Sequence, residues 1–88
     1  MTQREVQIVN PLGMHARPAA LFVKLANTFG ANVEVGNEAM MVNGKSIMGV
    51  MMLAAECGST ILIKASGDDA AKAVDALSGL VAKGFGES

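Results

Sequence analysis

The stretch Glu5–Ala26, EVQIVNPLGMHARPAALFVKLA, changes its hydrophobic period partway along. Glu5-Val6-Gln7-Ile8-Val9 alternates polar and apolar residues, the period-two pattern of a half-buried strand. Asn10-Pro11-Leu12-Gly13 then breaks the pattern, with proline and glycine supplying a loop. From Ala16 to Phe29 the apolar residues Ala19, Phe22, Val23 and Ala26 recur at helical spacing. Lys24 and Asn27 fall on the opposite side, and Gly30 suits the helix's C-terminus. A strand handing over to an amphipathic helix through one loop is the unit on which the rest of the fold is built.

Past this unit, Ala31–Val35 alternates cleanly and Met40-Met41-Val42 follows, with Gly36-Asn37-Glu38 as a hairpin turn between them. Asn43-Gly44-Lys45 makes a second break. The run Ser46–Leu53 is too apolar for a loop and, interrupted by Gly49, predicts a short helix of weak propensity. Thr60–Ala65 is the fourth strand. Asp68 and Asp69 are expected to cap a last helix with apolar positions Ala70, Ala73, Val74, Leu77, Leu80 and Val81, which Gly84 ends. The order β-α-β-β-α-β-α, with strands that each have one wet face, implies an α+β, two-layer sandwich whose helices cover one side of the sheet. No linker or repeat divides the chain, so a single domain over residues 1–88 is expected. The strand order stays open at this level, although the first strand–helix–strand unit leaves room for another strand between its two.

With 51% hydrophobic and 17% charged residues the composition is that of a folded soluble protein. No apolar run approaches the roughly 20 residues of a membrane span, and MTQREVQIVN has no signal-peptide core. The single Cys57 cannot form an internal disulfide and reads as a small filler, so the expected location is cytoplasmic. A net charge of −1, no Trp or Tyr and only three Phe disfavour nucleic-acid binding. Arg17, Lys24 and Lys45 nevertheless lie near the candidate motifs, while Asp68, Asp69 and Asp75 cluster later, which hints at a negatively charged ligand or partner on one side.

His15 is the only histidine, and it sits in the loop where the first strand meets the first helix. Free N–H groups in a helix's first turn form an anion site, and Arg17 adds a planar guanidinium that suits phosphate oxygens. Two readings of the helix start are open. Pro18 disfavours helical geometry at Arg17, which places Arg17 at the N-cap; alternatively His15 is the cap and Pro18 stands third, where its missing N–H is harmless. In both, His15 lies within a turn of the helix's positive end. With no second histidine and one cysteine there is no metal site of the usual ligand number and no hydrolase triad. No glycine-rich nucleotide loop or other cofactor motif is present. What remains is a histidine that accepts a group and passes it on.

Ser46 precedes the apolar Ile47–Leu53 run and reads as an N-cap. Phosphate at a helix N-terminus is electrostatically tolerated, so a modification there leaves the domain folded while adding charge. Met48, Met51 and Met52 read first as core filler, with at least one expected to be buried. Ile47, Met48 and Met51 nevertheless form one stripe at helical spacing.

Gly13-Met14-His15-Ala16-Arg17-Pro18-Ala19 resembles the active-site signature of the HPr family, the histidine-containing phosphocarriers of the bacterial phosphoenolpyruvate phosphotransferase system. Lys45-Ser46-Ile47-Met48-Gly49-Val50-Met51 is similar to that family's second signature, around its regulatory serine. Length and element order agree throughout. The resemblance implies that His15 receives phosphate on Nδ1 from phosphorylated enzyme I and donates it to a histidine of an enzyme IIA domain, with Arg17 contacting the phosphoryl group. It implies an open-faced sandwich with antiparallel strand order 1-4-2-3, a covalent carrier rather than a turnover enzyme, and a monomer that shuttles between partners. It also implies a docking patch of Ile47, Met48 and Met51, extended by Ala20 and Leu21 and rimmed by Lys24 and Lys45. In some relatives an HPr kinase/phosphorylase modifies the serine matching Ser46. Asn10–Ala19 and the ending Gly84-Phe85-Gly86-Glu87 are also similar to the nitrogen-type regulatory branch. The alternative is a regulatory protein-binding module of the same fold that carries no phosphate.

Overall fold

The computed structural model describes residues 1–86; Glu87, part of the nitrogen-type resemblance, lies outside them. The elements are β1 (Thr2–Gln7), α1 (Ala16–Ala26), β2 (Asn32–Gly36), β3 (Met41–Asn43), α2 (Ile47–Met52), β4 (Thr60–Ser66) and α3 (Ala70–Ala82), followed by a 3-10 turn at Gly84–Gly86. The four strands form one antiparallel sheet in the order β1-β4-β2-β3, so β4 does occupy the gap between β1 and β2. Its central register sets Arg4 opposite Ile63 and Ile63 opposite Val35, which in turn faces Val42.

Alternation along the strands decides which face is covered. Val33 and Val35 of β2 and Ile61, Ile63 and Ala65 of β4 point into the core, and the residues between them are half-buried or exposed. The helices close over that face: α3 packs on β1 and β4, and α1 packs between α2 and α3. Phe22 of α1, Val50 of α2, and Val74, Leu77 and Val81 of α3 meet Ile8, Val35, Ile61 and Ile63 in one cluster. Among the described residues no helix is long and apolar enough to cross a membrane.

Element boundaries differ from the expectation in instructive places. β1 ends at Gln7, two residues early, although Ile8 still exchanges backbone bonds with Gly58 and Ser59 (Ile8 N–H to Ser59 O, 2.8 Å; Gly58 N–H to Ile8 O, 2.7 Å). Gly36, assigned to the turn, pairs with Met41 inside the sheet, and Asn37 makes the turn instead: its Oδ1 accepts from the amides of Ala39 and Met40. Asp69 stands at the N-cap of α3 but makes no side-chain cap bond. Its carboxylate accepts instead from the amides of Gly30 and Ala31 at 2.9 and 2.8 Å, because the loop after α1 passes across the start of α3. No methionine of α2 is core filler: Met48, Met51 and Met52 are all exposed, and the buried contribution comes from Val50 together with Leu53 at the C-cap. The spacing of those two residues puts them on the inner side of a six-residue helix, and the sulfur side chains stand on the outer one. Cys57, read as a filler, is exposed, with Sγ 3.7 Å from Val9 O.

Candidate functional site

The loop that carries His15 is held from below. Asn10 is buried at 1% exposure; its Nδ2 donates to Gly13 O at 2.7 Å, and the Gly13 amide donates to Asn10 O at 3.0 Å. Gly13 adopts φ +69°, and a Cβ built on it would lie 2.4 Å from Ala55 O, so the position demands glycine for both conformation and space. The next amide, Met14 N–H, donates to that same Ala55 carbonyl at 2.8 Å, and the Met14 side chain is buried. The His15 amide is turned back to Gly13 O at 3.0 Å.

His15 is the N-cap of α1, with extended backbone at φ −94° and ψ −168°. Of the two openings read from the sequence, the structure takes the one with Pro18 third. Pro18 lacks an N–H where none is needed, and its buried ring packs into the core, which outweighs the local bias against helical geometry at Arg17. Ala19 N–H closes the first helical bond to His15 O at 3.0 Å. The amides of Ala16 and Arg17 therefore have no acceptor within the helix. Both residues are exposed beside the half-buried imidazole. The start of α1 thus carries the imidazole at its N-cap, two N–H groups without an intrahelical acceptor at the positive end of a helix dipole, and an arginine two residues on. The chemistry of such a helix start suits a tetrahedral anion. Among the described residues no three His, Cys, Asp or Glu side chains converge on a metal ion.

The second motif lies alongside, inverted. The Asn27 side chain at the C-cap of α1 reaches the Lys45 carbonyl at 3.4 Å, at the start of α2, while Met14 before α1 bonds Ala55 beyond the end of α2. The two helices therefore run antiparallel, and Ser46 sits near the end of α1 remote from His15, α1 itself being about 16 Å long over its 11 residues. Ser46 caps α2 as expected, its Oγ accepting from the Gly49 amide at 3.1 Å. Ala20, Leu21 and Lys24 of α1 and Ile47, Met48 and Met51 of α2 are all exposed, with Met48 the most open of the apolar ones at 76%. Lys45 is half-buried and its Nζ donates to Phe29 O at 2.8 Å, so its charge is directed at the C-terminal end of α1 rather than outward.

Three positions escaped the sequence reading. In the sequence Asn10 looks only like a loop breaker, Ala55 gives no signal, and Asp69 shows its N-cap position but not the bonds its carboxylate makes to Gly30 and Ala31. An asparagine three residues before a glycine is the one local cue for the brace at Asn10.

Known proteins share this arrangement. The family model described as the phosphorylation site of the PTS HPr component matches residues 2–83. Phosphocarrier protein HPr of Cupriavidus necator strain H16 is 47% identical over 87 residues, covering 99% of this chain and 98% of its own length. A crystal structure of HPr-C-His from Thermoanaerobacter tengcongensis superposes with a TM-score of 0.95 at 42% identity, over 100% of this chain and 99% of that one. An HPr crystal structure from Bacillus anthracis strain Ames gives a TM-score of 0.87 at 46% identity, covering 91% and 95%. Matched from β1 to the end of α3, the chain belongs to the HPr family of phosphocarrier proteins of the phosphotransferase system.

Proposed function

We propose that this protein accepts a phosphoryl group on His15 from phosphorylated enzyme I and passes it to a histidine of an enzyme IIA domain. The observation that carries this reading is the placement of the one imidazole of the chain at the N-cap of α1, beside the exposed Ala16 and Arg17 amides. In transfer, the nitrogen–phosphorus bond on the donor breaks as a new one forms at Nδ1 of His15, with the phosphoryl oxygens facing the two amides and the Arg17 guanidinium. The reverse sequence delivers the group onward. A loose in-line transition state requires mainly positioning and charge balance, which these groups and the docked partner supply together. The open mouth favours release: the group is oriented but not enclosed.

The exposed face of Ala20, Leu21, Ile47, Met48 and Met51 is the docking surface in this reading, with Lys24 on its rim and Lys45 behind it. Both partners meet the same flexible methionine-rich face in turn. Phosphorylation of Ser46 by an HPr kinase/phosphorylase adds charge next to Ile47 and Met48 and slows docking, without contact with His15. The deciding experiment supplies enzyme I and labelled phosphoenolpyruvate. Acid-labile label on the wild-type chain that falls to background in His15→Ala is the expected result. A wild-type chain that stays unlabelled would leave a regulatory binding module of the same fold as the better account.

A further inference from the structure

We propose that Asn10 is the positioning residue of the phosphoryl-accepting histidine, acting through a single shared carbonyl. Gly13 O receives two donors, Asn10 Nδ2 at 2.7 Å and the His15 amide at 3.0 Å. The first comes from a side chain at 1% exposure, so the bond is shielded from competing water and its direction is set by the core. The second engages the His15 amide, so that the first-turn amides without an intrahelical acceptor are those of Ala16 and Arg17. Gly13 has little room to shift toward the Ala55 segment, since a Cβ built on it would lie 2.4 Å from Ala55 O and 3.0 Å from Glu56 Cα.

The turn at Gly84–Gly86 lies beside Asn10. Gly84, at φ +66°, places its Cα so that a Cβ would lie 3.6 Å from both Asn10 Cβ and Val9 Cγ2. Phe85 follows at φ +59°, a left-handed conformation that a phenylalanine keeps only under outside constraint. The residue is 5% exposed, and that burial supplies the constraint. The hydrogen-bonded link itself runs from Asn10 through Gly13 O to the backbone of His15.

This inference rests on the carrier reading, and its test separates the two. Asn10→Ala and Asn10→Ser both lack a donor that reaches Gly13 O, yet leave His15, Arg17 and the docking face intact. Single-turnover transfer from phosphorylated enzyme I is expected to slow about 10-fold or more, as for a reacting group displaced by a fraction of an ångström. The concentration of donor giving half-maximal rate is expected to stay within about two-fold, since docking is untouched, and labelling at long times still reaches completion. A purely structural role would lower the melting temperature without this separation of rate from affinity. Equal transfer rates in folded variants overturn the proposal, as does a loss confined to affinity. A second measurement needs neither variant nor label: in the unmodified protein the Asn10 side-chain amide protons and the His15 amide proton are expected to exchange slowly with solvent. Fast exchange of either one overturns the brace even where both variants fail to fold. If the wild-type chain takes no label at all, the carrier reading fails while slow exchange still upholds the brace.

Discussion

Gly13 shows how one missing side chain sets the geometry of the site. Its φ of +69° and the 2.4 Å between a built Cβ and Ala55 O leave no room for any other residue. Gly13→Ala is expected to cost at least about 2 kcal/mol, from left-handed strain plus displacement of the carbonyl that holds Met14. Urea unfolding checks this, and a loss under about 0.5 kcal/mol would show that the loop relaxes freely. His15 and Arg17 stand out as candidates without coordinates because their chemistry is unusual for their context: a lone imidazole, an arginine and a proline at a helix start. Asn10 was not, since an asparagine beside a proline is an ordinary turn former, and only burial reveals that its side chain faces inward.

At the scale of elements, the two short faces of α2 have opposite duties. Val50 anchors the helix in the core while Met48 projects at 76% exposure, so the two can be perturbed separately. Met48→Asp is expected to raise the donor concentration for half-maximal transfer about 10-fold, the effect of losing a moderate interface anchor, with an unchanged melting temperature. Unaltered kinetics would remove α2 from the docking face. In α3 the Ser78 hydroxyl is buried with no hydrogen-bond partner among the described residues. Ser78→Ala removes that unmet group and is expected to stabilise the protein by about 1 kcal/mol. Destabilisation instead would reveal a partner formed in solution. Period made α1 and α3 readable, and Ser46 and Asp69 stand at the N-caps where their residue types place them, but other details of the element ends were not legible. Pro18 inside the first turn, Asp69 bonding elsewhere and the early end of β1 are each decided by a neighbour distant in sequence.

For the whole molecule, the Asp69 carboxylate is the tie that joins the α1–β2 connection to the start of α3. The amide of Gly30 chiefly, then that of Ala31 and the charge of Lys45, hold its pKa below the ordinary value of 3.8, against partial desolvation that raises it. A carboxyl depressed in the folded state stabilises fully above its unfolded pKa, and that contribution disappears as pH falls through the lower folded value. Asp69→Asn is therefore expected to melt a few degrees below the wild type at pH 7. The gap is expected to narrow once the pH drops under 3.8; a gap that is constant from neutral to strongly acid pH would remove charge from the explanation. By contrast, the exposed pair Arg4–Asp75, at 2.6 Å, is screened by solvent, and its geometry alone carries little stability.

Hydrophobic period and residue chemistry settled, from the chain alone, the number and kind of the main elements and the covered face of the sheet, and they singled out His15 as the candidate group. These properties are written within windows of a few residues, where side-chain spacing and local conformation are linked directly. The placement of β4 between β1 and β2 agreed with the family pattern but could not be derived from any such window. The inward turn of Asn10, the docking of Gly13 on Ala55 and the capture of Lys45 by Phe29 likewise belong to tertiary structure. Each joins segments whose meeting depends on how the whole core closes, and a hydrogen bond across that distance leaves no periodic trace in the chain.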